Sequence, residues 1–144
     1  MEIINHECYV SFEVAKLLKE VGFDWECKTY YDISLYRDEI IIEGEFHDYN
    51  FTTGNIIFSA PTLDVAQRWL RDVKQLDISI HYDPTIKSQP YAYFIYDVEE
   101  KFDDIFGIIS PVTHSYSDGY FYTYEEAQEA SIKKAIEIIL EKRE

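Results

Sequence analysis

A chain of 144 residues has the common length of a single domain, and its composition, 47% hydrophobic and 17% aromatic, supplies enough apolar surface for a packed core and excludes a disordered chain. Its 28 acidic residues outnumber its 13 basic residues and give a formal net charge of −15. A surface of this sign repels phosphate backbones and anionic lipids, so we expect neither direct nucleic-acid binding nor membrane binding.

The first predicted element is a short amphipathic helix over residues 11–21. Ser11 is its expected N-cap, and Gly22 is expected to end it, because glycine readily adopts the left-handed conformation that commonly follows a helix. Strand-like apolar runs follow at residues 30–35, 39–46 and 55–58. These runs predict two or three antiparallel strands.

A second helix is predicted over residues 62–74, directly after Pro61. Residues 76–82 alternate apolar and polar side chains, which is the pattern of a strand with one solvent-facing side. Residues 91–98 are apolar or aromatic on both faces, as in a central strand, and residues 99–104 predict a polar turn.

The next apolar run, at residues 105–112, predicts a further strand. Residues 117–119, Ser-Asp-Gly, predict a hairpin turn between the aromatic segments 114–116 and 120–122, with the glycine at the position that needs a positive φ. The last helix is predicted over residues 124–141.

All three predicted helices begin with a hydroxyl residue, followed by an acid two positions later and an alanine four positions later. The hydroxyl residues are Ser11, Thr62 and Thr123. Each can accept a backbone N–H of the first turn, the acid complements the helix dipole, and Glu126 completes a capping box with Thr123. Gln67 and Gln128 extend the likeness of the last two starts, which an ancient repeat of strand–helix units would explain. General helix capping explains the shared pattern more simply, and we adopt that interpretation.

These elements predict one α+β domain spanning residues 1–144. A mostly antiparallel sheet of about five to seven strands is expected to pack with the three helices. The chain contains no glycine- or serine-rich linker and no low-complexity segment that would argue for a second domain.

Four segments carry a likeness to known sequences: residues 17–23 (LLKEVGF), 60–62 (APT), 66–73 (AQRWLRDV) and 123–127 (TYEEA). Through them, over nearly its full length and in the same order, the chain resembles a family of short uncharacterised proteins common in gut Bacteroidales bacteria and in their phages and mobile elements. The segment from Ala60 to Arg71 is the most specific part. The resemblance implies a phage or mobile-element setting and brings no activity, cofactor or catalytic residue.

His81 and Asp83 form the best candidate for a chemical site, because alternate residues of a strand point to the same side. A histidine beside a carboxylate can act as an acid–base pair or bind a first-row metal ion. The solvent-facing side of a strand explains the same residues without any chemistry. The chain has no CxxC, HExxH, Gly-x-Ser-x-Gly or glycine-rich phosphate-binding motif, so we assign no metal ligand, cofactor or catalytic residue.

Two features favour binding over chemistry. Trp69 lies beside Arg68 and Arg71, and these residue types dominate interface hot spots, although Trp69 borders the apolar stripe of its helix and also fits a buried position. Tyrosines, among them Tyr93 and Tyr120, crowd the second half of the chain and offer amphipathic contact area at a low cost in entropy. The leading hypothesis is a small non-enzymatic adaptor of a phage or mobile element. It would contact a protein partner, or a second copy of itself, through the tyrosine-rich side of its sheet.

Two alternative functions stay open at the level of sequence. One is a small ligand-binding domain or enzyme with a site around His81 and Asp83. The other is an acidic anti-defence protein that mimics nucleic acid, which requires carboxylates along one surface at phosphate-like spacing. Acids interleaved with Lys and Arg on the second helix argue against the mimic.

The predicted compartment is the cytoplasm. The chain begins without the basic and apolar regions of a secretory signal, and no window reaches the roughly 20 apolar residues that span a bilayer. Cys8 and Cys27 are fewer cysteines than a disulfide-stapled secreted domain carries. We expect both to be reduced, and the sequence leaves open whether they are close in space.

Overall fold

In the computed structural model of the protein, the residues described are 8–35, 40–51, 54–103, 109–116 and 120–143. The chain divides into two compact units: residues 1–66 with 136–144, and residues 67–135. The boundaries fall inside two helices, α2 (Leu63–Lys74) and α3 (Tyr124–Lys142). That the whole chain behaves as one domain stays a prediction.

The first unit contains helix α1 (Phe12–Glu20) and three strands. The strands are β1 (Cys27–Asp32), β2 (Ile41–His47) and β3 (Ile57–Ser59). They form an antiparallel sheet in the order β2-β1-β3, in which Tyr31 of β1 lies opposite Ile41 on one side and Phe58 on the other. β1 is therefore the central strand of this sheet, and Tyr31 has a cross-strand neighbour on each side.

Helix α1 begins and ends as its sequence predicts. The Ser11 side chain accepts the backbone N–H of Val14 at 3.3 Å, which satisfies one donor of the first turn. Gly22 follows the helix with φ at 93°, in the left-handed region that glycine adopts without a steric penalty.

Aromatic contacts join α1 to its sheet. The Phe12 ring meets the rings of Tyr31 and Phe58 edge to face, each at a centroid distance of 5.5 Å. The Tyr31 hydroxyl donates to the Val10 carbonyl at 2.8 Å, so the buried phenol is satisfied. These contacts fix the helix over the β1–β3 pair.

A second aromatic stack in this unit depends on a glycine. Tyr30 and Tyr49 stack with centroids 4.2 Å apart, and Gly44 lies directly beside the stack. A Cβ atom at Gly44 would lie 2.6 Å from Tyr49 Oη and 3.2 Å from Tyr30 Cε1. Any other residue at this position must therefore displace Tyr49.

We expect Gly44→Ala to lower the free energy of unfolding by about 1–2 kcal/mol, because an added methyl group overpacks the site. In a Tyr49→Phe background the hydroxyl at 2.6 Å is gone and only the closer-than-usual contact to Tyr30 Cε1 at 3.2 Å remains, so the same substitution should cost less. Urea unfolding followed by far-UV circular dichroism measures all four chains of the cycle. Equal losses of unfolding free energy in the wild-type and Tyr49→Phe backgrounds would contradict a clash between the added methyl group and Tyr49 Oη.

The second unit contains β4 (Leu76–Tyr82), β5 (Tyr91–Asp103) and β6 (Ile109–Tyr116). They form an antiparallel sheet in the order β4-β5-β6, with Ile78 opposite Ile95. Gln75 joins α2 to β4 with φ at 60°, and its carbonyl accepts the backbone N–H of Val98 at 2.8 Å. This bond fixes where β4 begins against β5.

The structure confirms the α+β class and all three predicted helices, and it corrects the predicted sheet. The six strands of the described residues form two separate three-stranded sheets instead of one. Strand β5 runs on to Asp103 through the predicted turn at residues 99–104. Residues 120–122, expected as the second arm of the hairpin, do not form a strand, and Phe121 makes an isolated bridge to Tyr91 of β5. The predicted turn at residues 117–119 and the first part of the predicted strand 105–112, residues 105–108, lie outside the described residues, and the rest of that strand is the start of β6.

Candidate functional site

The second unit exposes a group of tyrosines, which we call the tyrosine cluster. Its members are Tyr82, Tyr91, Tyr120, Tyr122 and Tyr124. The side chains of Tyr82 and Tyr122 are 63% and 61% exposed, and those of Tyr120 and Tyr124 are 41% and 40% exposed. Exposed aromatic side chains grouped in one unit mark this part of the molecule as a candidate interaction surface.

Three elements bring the cluster together. The register of β4 and β5 places Tyr82 opposite Tyr91, with ring centroids 5.4 Å apart. The Tyr91 ring then meets that of Tyr124, the first residue of α3, edge to face at 6.1 Å. Two backbone hydrogen bonds between Tyr91 and Phe121 hold the segment that precedes α3 against β5. The cluster is therefore built on a strand pair and a helix start.

Two carboxylates belong to this surface. The Asp83 carboxylate accepts the Thr85 hydroxyl at 2.6 Å and the Thr85 N–H at 2.9 Å, and these bonds, with one from Tyr120, lower the pKa of the Asp83 carboxyl. Glu126 Oε2 accepts the Tyr122 N–H at 3.2 Å. Both acids are ordered beside tyrosines of the cluster and give it negative charge.

The structure gives His81 and Asp83 different surroundings. His81 is exposed, its Nε2 atom lies 3.1 Å from the Ser79 hydroxyl, and its ring meets Phe94 edge to face at 4.8 Å. Asp83 instead closes the turn at Thr85. Within the described ranges, no three His, Cys, Asp or Glu side chains are arranged to hold a metal ion.

The remaining predicted residues divide between the interior and the surface. Trp69 is 1% exposed, so its ring offers no surface to a partner. Arg68 is exposed, and Arg71 forms an exposed ion pair with Asp72 at 2.9 Å. Tyr93 is 8% exposed and stacks on Phe121, whereas Tyr120 belongs to the exposed cluster.

The cysteines differ in accessibility. Cys8 is exposed and Cys27 is buried, and the two do not form a disulfide with each other. The Cys27 thiol donates to the Thr29 carbonyl at 3.3 Å, and burial raises the pKa of this thiol. Cys27 is thus held as a neutral thiol, which disfavours a nucleophilic role.

Sequence reasoning missed a cleft in the first unit. It has a volume of about 640 Å³, and its lining includes Phe12, Phe58, Lys16 and Lys19. The signal was present in the spacing, because Phe12, Lys16 and Lys19 follow one another at i, i+4 and i+7 and so share a helix face.

Comparison of the chain with protein-family models, with curated proteins and with solved structures finds no match. None of the helices in the described ranges is long and apolar enough to cross a bilayer.

Proposed function

We propose that the protein is a small non-enzymatic binding module whose tyrosine cluster contacts a basic segment of a protein partner. The observation that carries this proposal is the exposure of Tyr82 and Tyr122, which are 63% and 61% exposed. Tyrosine is enriched in protein interfaces because its ring is large and rigid and its hydroxyl remains hydrogen-bonded in a wet contact.

The charge of the molecule supports a basic partner. The net charge is −15, and Asp83 and Glu126 are ordered within the cluster. Arginine side chains suit such a surface, because a guanidinium stacks on an aromatic ring and pairs with a carboxylate at the same time. Complementary charge also accelerates the encounter of the two partners.

The resemblance to proteins of Bacteroidales bacteria and their phages and mobile elements supports a setting in which a small adaptor modulates a host protein. Contact between two copies of the chain is the competing use of the same tyrosines. The negative charge of the cluster disfavours it, because two identical acidic surfaces repel each other.

The test selects peptides from a displayed random library on the immobilised protein and measures the affinity of the selected peptides by calorimetry. We expect arginine-containing peptides whose affinity falls about tenfold in Tyr82→Ala and in Tyr122→Ala, the effect of losing one anchor residue. Phe51→Ala removes an aromatic ring that is 68% exposed in the other unit and is the matched control.

Three results would count against the proposal. The first is selected peptides without a basic character. The second is equal binding by the tyrosine variants and the Phe51→Ala control. The third is a dimer in sedimentation experiments that dissociates in Tyr82→Ala, which would assign the cluster to self-association.

A further inference from the structure

The cleft of the first unit combines an apolar floor with positive charge. Phe12, Phe58 and Ile33 contribute the apolar part, and Lys16, Lys19 and Glu20 contribute charged groups. Its volume of about 640 Å³ falls within the range of small-molecule sites. Two of only 13 basic side chains in the molecule thus converge on one aromatic cleft.

The two aromatic rings of the cleft are fixed. Phe12 and Phe58 meet edge to face at 5.5 Å, and Phe12 also packs on the buried Tyr31 at the same distance. Neither ring can turn away without disrupting the contact between α1 and its sheet. The apolar floor is therefore preformed, which reduces the entropy lost when a ligand binds.

Lys19 is held at the cleft by the backbone. Its ammonium donates to the Ile57 carbonyl at 2.7 Å and to the Gly54 carbonyl, and it lies 4.9 Å from the centroid of the Phe58 ring. Burial lowers the pKa of this group. Lys19 thus supplies a positive charge at a fixed place against an aromatic face.

Lys16 lies one helical turn earlier and is exposed, with its ammonium 5.3 Å from the centroid of the Phe12 ring. A lysine whose stem follows an aromatic ring keeps its charged end in water beside the apolar surface. It can therefore reach an anionic group of a ligand whose apolar body lies on Phe12 and on Ile33, which is 41% exposed, while Phe58, 5% exposed, supports the Phe12 ring from below.

We propose that this cleft binds a small organic carboxylate with an aromatic body. The aromatic ring of the ligand would pack against the apolar floor of the cleft. Its carboxylate would form an ion pair with Lys16, close to the positive charge of Lys19. Glu20 also lines the cleft, so a ligand with several negative charges is disfavoured and a monocarboxylate fits best. This ligand site lies in a different unit from the tyrosine cluster and does not depend on the proposed protein partner.

The experiment titrates the isotopically labelled full chain with phenylacetate and follows backbone amide shifts by NMR. We expect saturable shifts at residues 12–20 and 54–58, with a dissociation constant of about 1 mM for so small a ligand. Phenylacetamide keeps the ring and lacks the charge, so it should bind about tenfold more weakly. Lys16→Gln should weaken phenylacetate binding about threefold to fivefold, and Lys87→Gln, which changes an exposed lysine of the other unit, should leave it unchanged.

Three outcomes would overturn the proposal. Absence of saturable shifts in the cleft at millimolar phenylacetate would remove the site. Equal affinity for phenylacetamide would show that the charge plays no part. Equal affinities of Lys16→Gln and Lys87→Gln would show that the lysine of the cleft does not recognise the carboxylate. Lys16 is exposed, so neither substitution interferes with folding.

Discussion

Replacement of Trp69 by alanine is expected to lower the free energy of unfolding by about 3–5 kcal/mol, the usual cost of deleting a large buried side chain. Trp69 is the largest fully buried side chain among the described residues, with 1% of its surface exposed. Its removal leaves a cavity that the surrounding side chains fill only in part. Urea unfolding followed by far-UV circular dichroism measures the loss.

Two controls separate burial from residue type. Tyr82→Ala also removes an aromatic ring, but that ring is 63% exposed, so the expected cost is about 0.5 kcal/mol or less. Arg68→Ala, at an exposed position on the same helix, should likewise leave stability almost unchanged. A Trp69→Ala chain as stable as Tyr82→Ala would contradict the buried position and would return Trp69 to the candidates for a partner-binding surface.

The helices could be predicted because their signals are local. For α1, the Ser11 cap, the apolar spacing and Gly22 lie within one short segment, and each agrees with the others. The predicted end points, 11–21, 62–74 and 124–141, differ by at most one residue from the observed helices. Capping of this kind needs no information from the rest of the chain.

The sheets could be predicted only in part because strand pairing is not local. The alternation in β4 correctly indicated a strand, but nothing in it states that β5 is its partner or that β1 belongs to another sheet. The polar residues 99–104 were interpreted as a turn, yet β5 continues to Asp103. The register of β5 against β6 shifts between Asp97 and Lys101 and pairing resumes at Lys101 opposite Pro111, so an irregularity inside a strand lies where the polar sequence indicates a turn.

The candidate surfaces, like the sheets, could be predicted only in part from the sequence. The abundance of tyrosine predicted an aromatic surface, but composition could not separate the buried Tyr93 from the exposed Tyr120 and Tyr122. The cleft could not be predicted from local sequence, because the contact between Phe58 and Phe12 joins distant parts of the chain and depends on the pairing of β3 with β1. The spacing of Phe12, Lys16 and Lys19 on α1 carries a signal for one side of the cleft that sequence reasoning did not use, and Phe58 on the other side depends on the strand pairing.

The glutamines that extend the second and third helix starts form a buried contact. Gln128 Nε2 donates to Gln67 Oε1 at 2.9 Å, and Gln67 Nε2 donates to the Ile78 carbonyl at 3.1 Å. Gln128 is 2% exposed, so its amide is removed from water. The repeated alanine–glutamine pair therefore marks a chain of hydrogen bonds, within the second unit, from Gln128 of α3 through Gln67 of α2 to β4, a role that helix capping alone does not explain.

We expect Gln128→Leu to lower the free energy of unfolding by about 1 kcal/mol, because the half-buried Gln67 Oε1 loses the donor that Gln128 supplies. Gln128→Glu keeps the shape of the side chain but places a carboxylate oxygen, which cannot donate, beside Gln67 Oε1. The loss of unfolding free energy should therefore be larger at about pH 7 than at about pH 5. Burial raises the pKa of the new carboxyl in the folded chain, and the protonated form, which can donate, persists only below that pKa. Urea unfolding at the two pH values measures the difference, and Gln89→Glu, at a half-buried position in the loop between β4 and β5, is the charge-matched control. A cost of Gln128→Glu that matches the control at both pH values would show that the glutamine contact contributes nothing to stability.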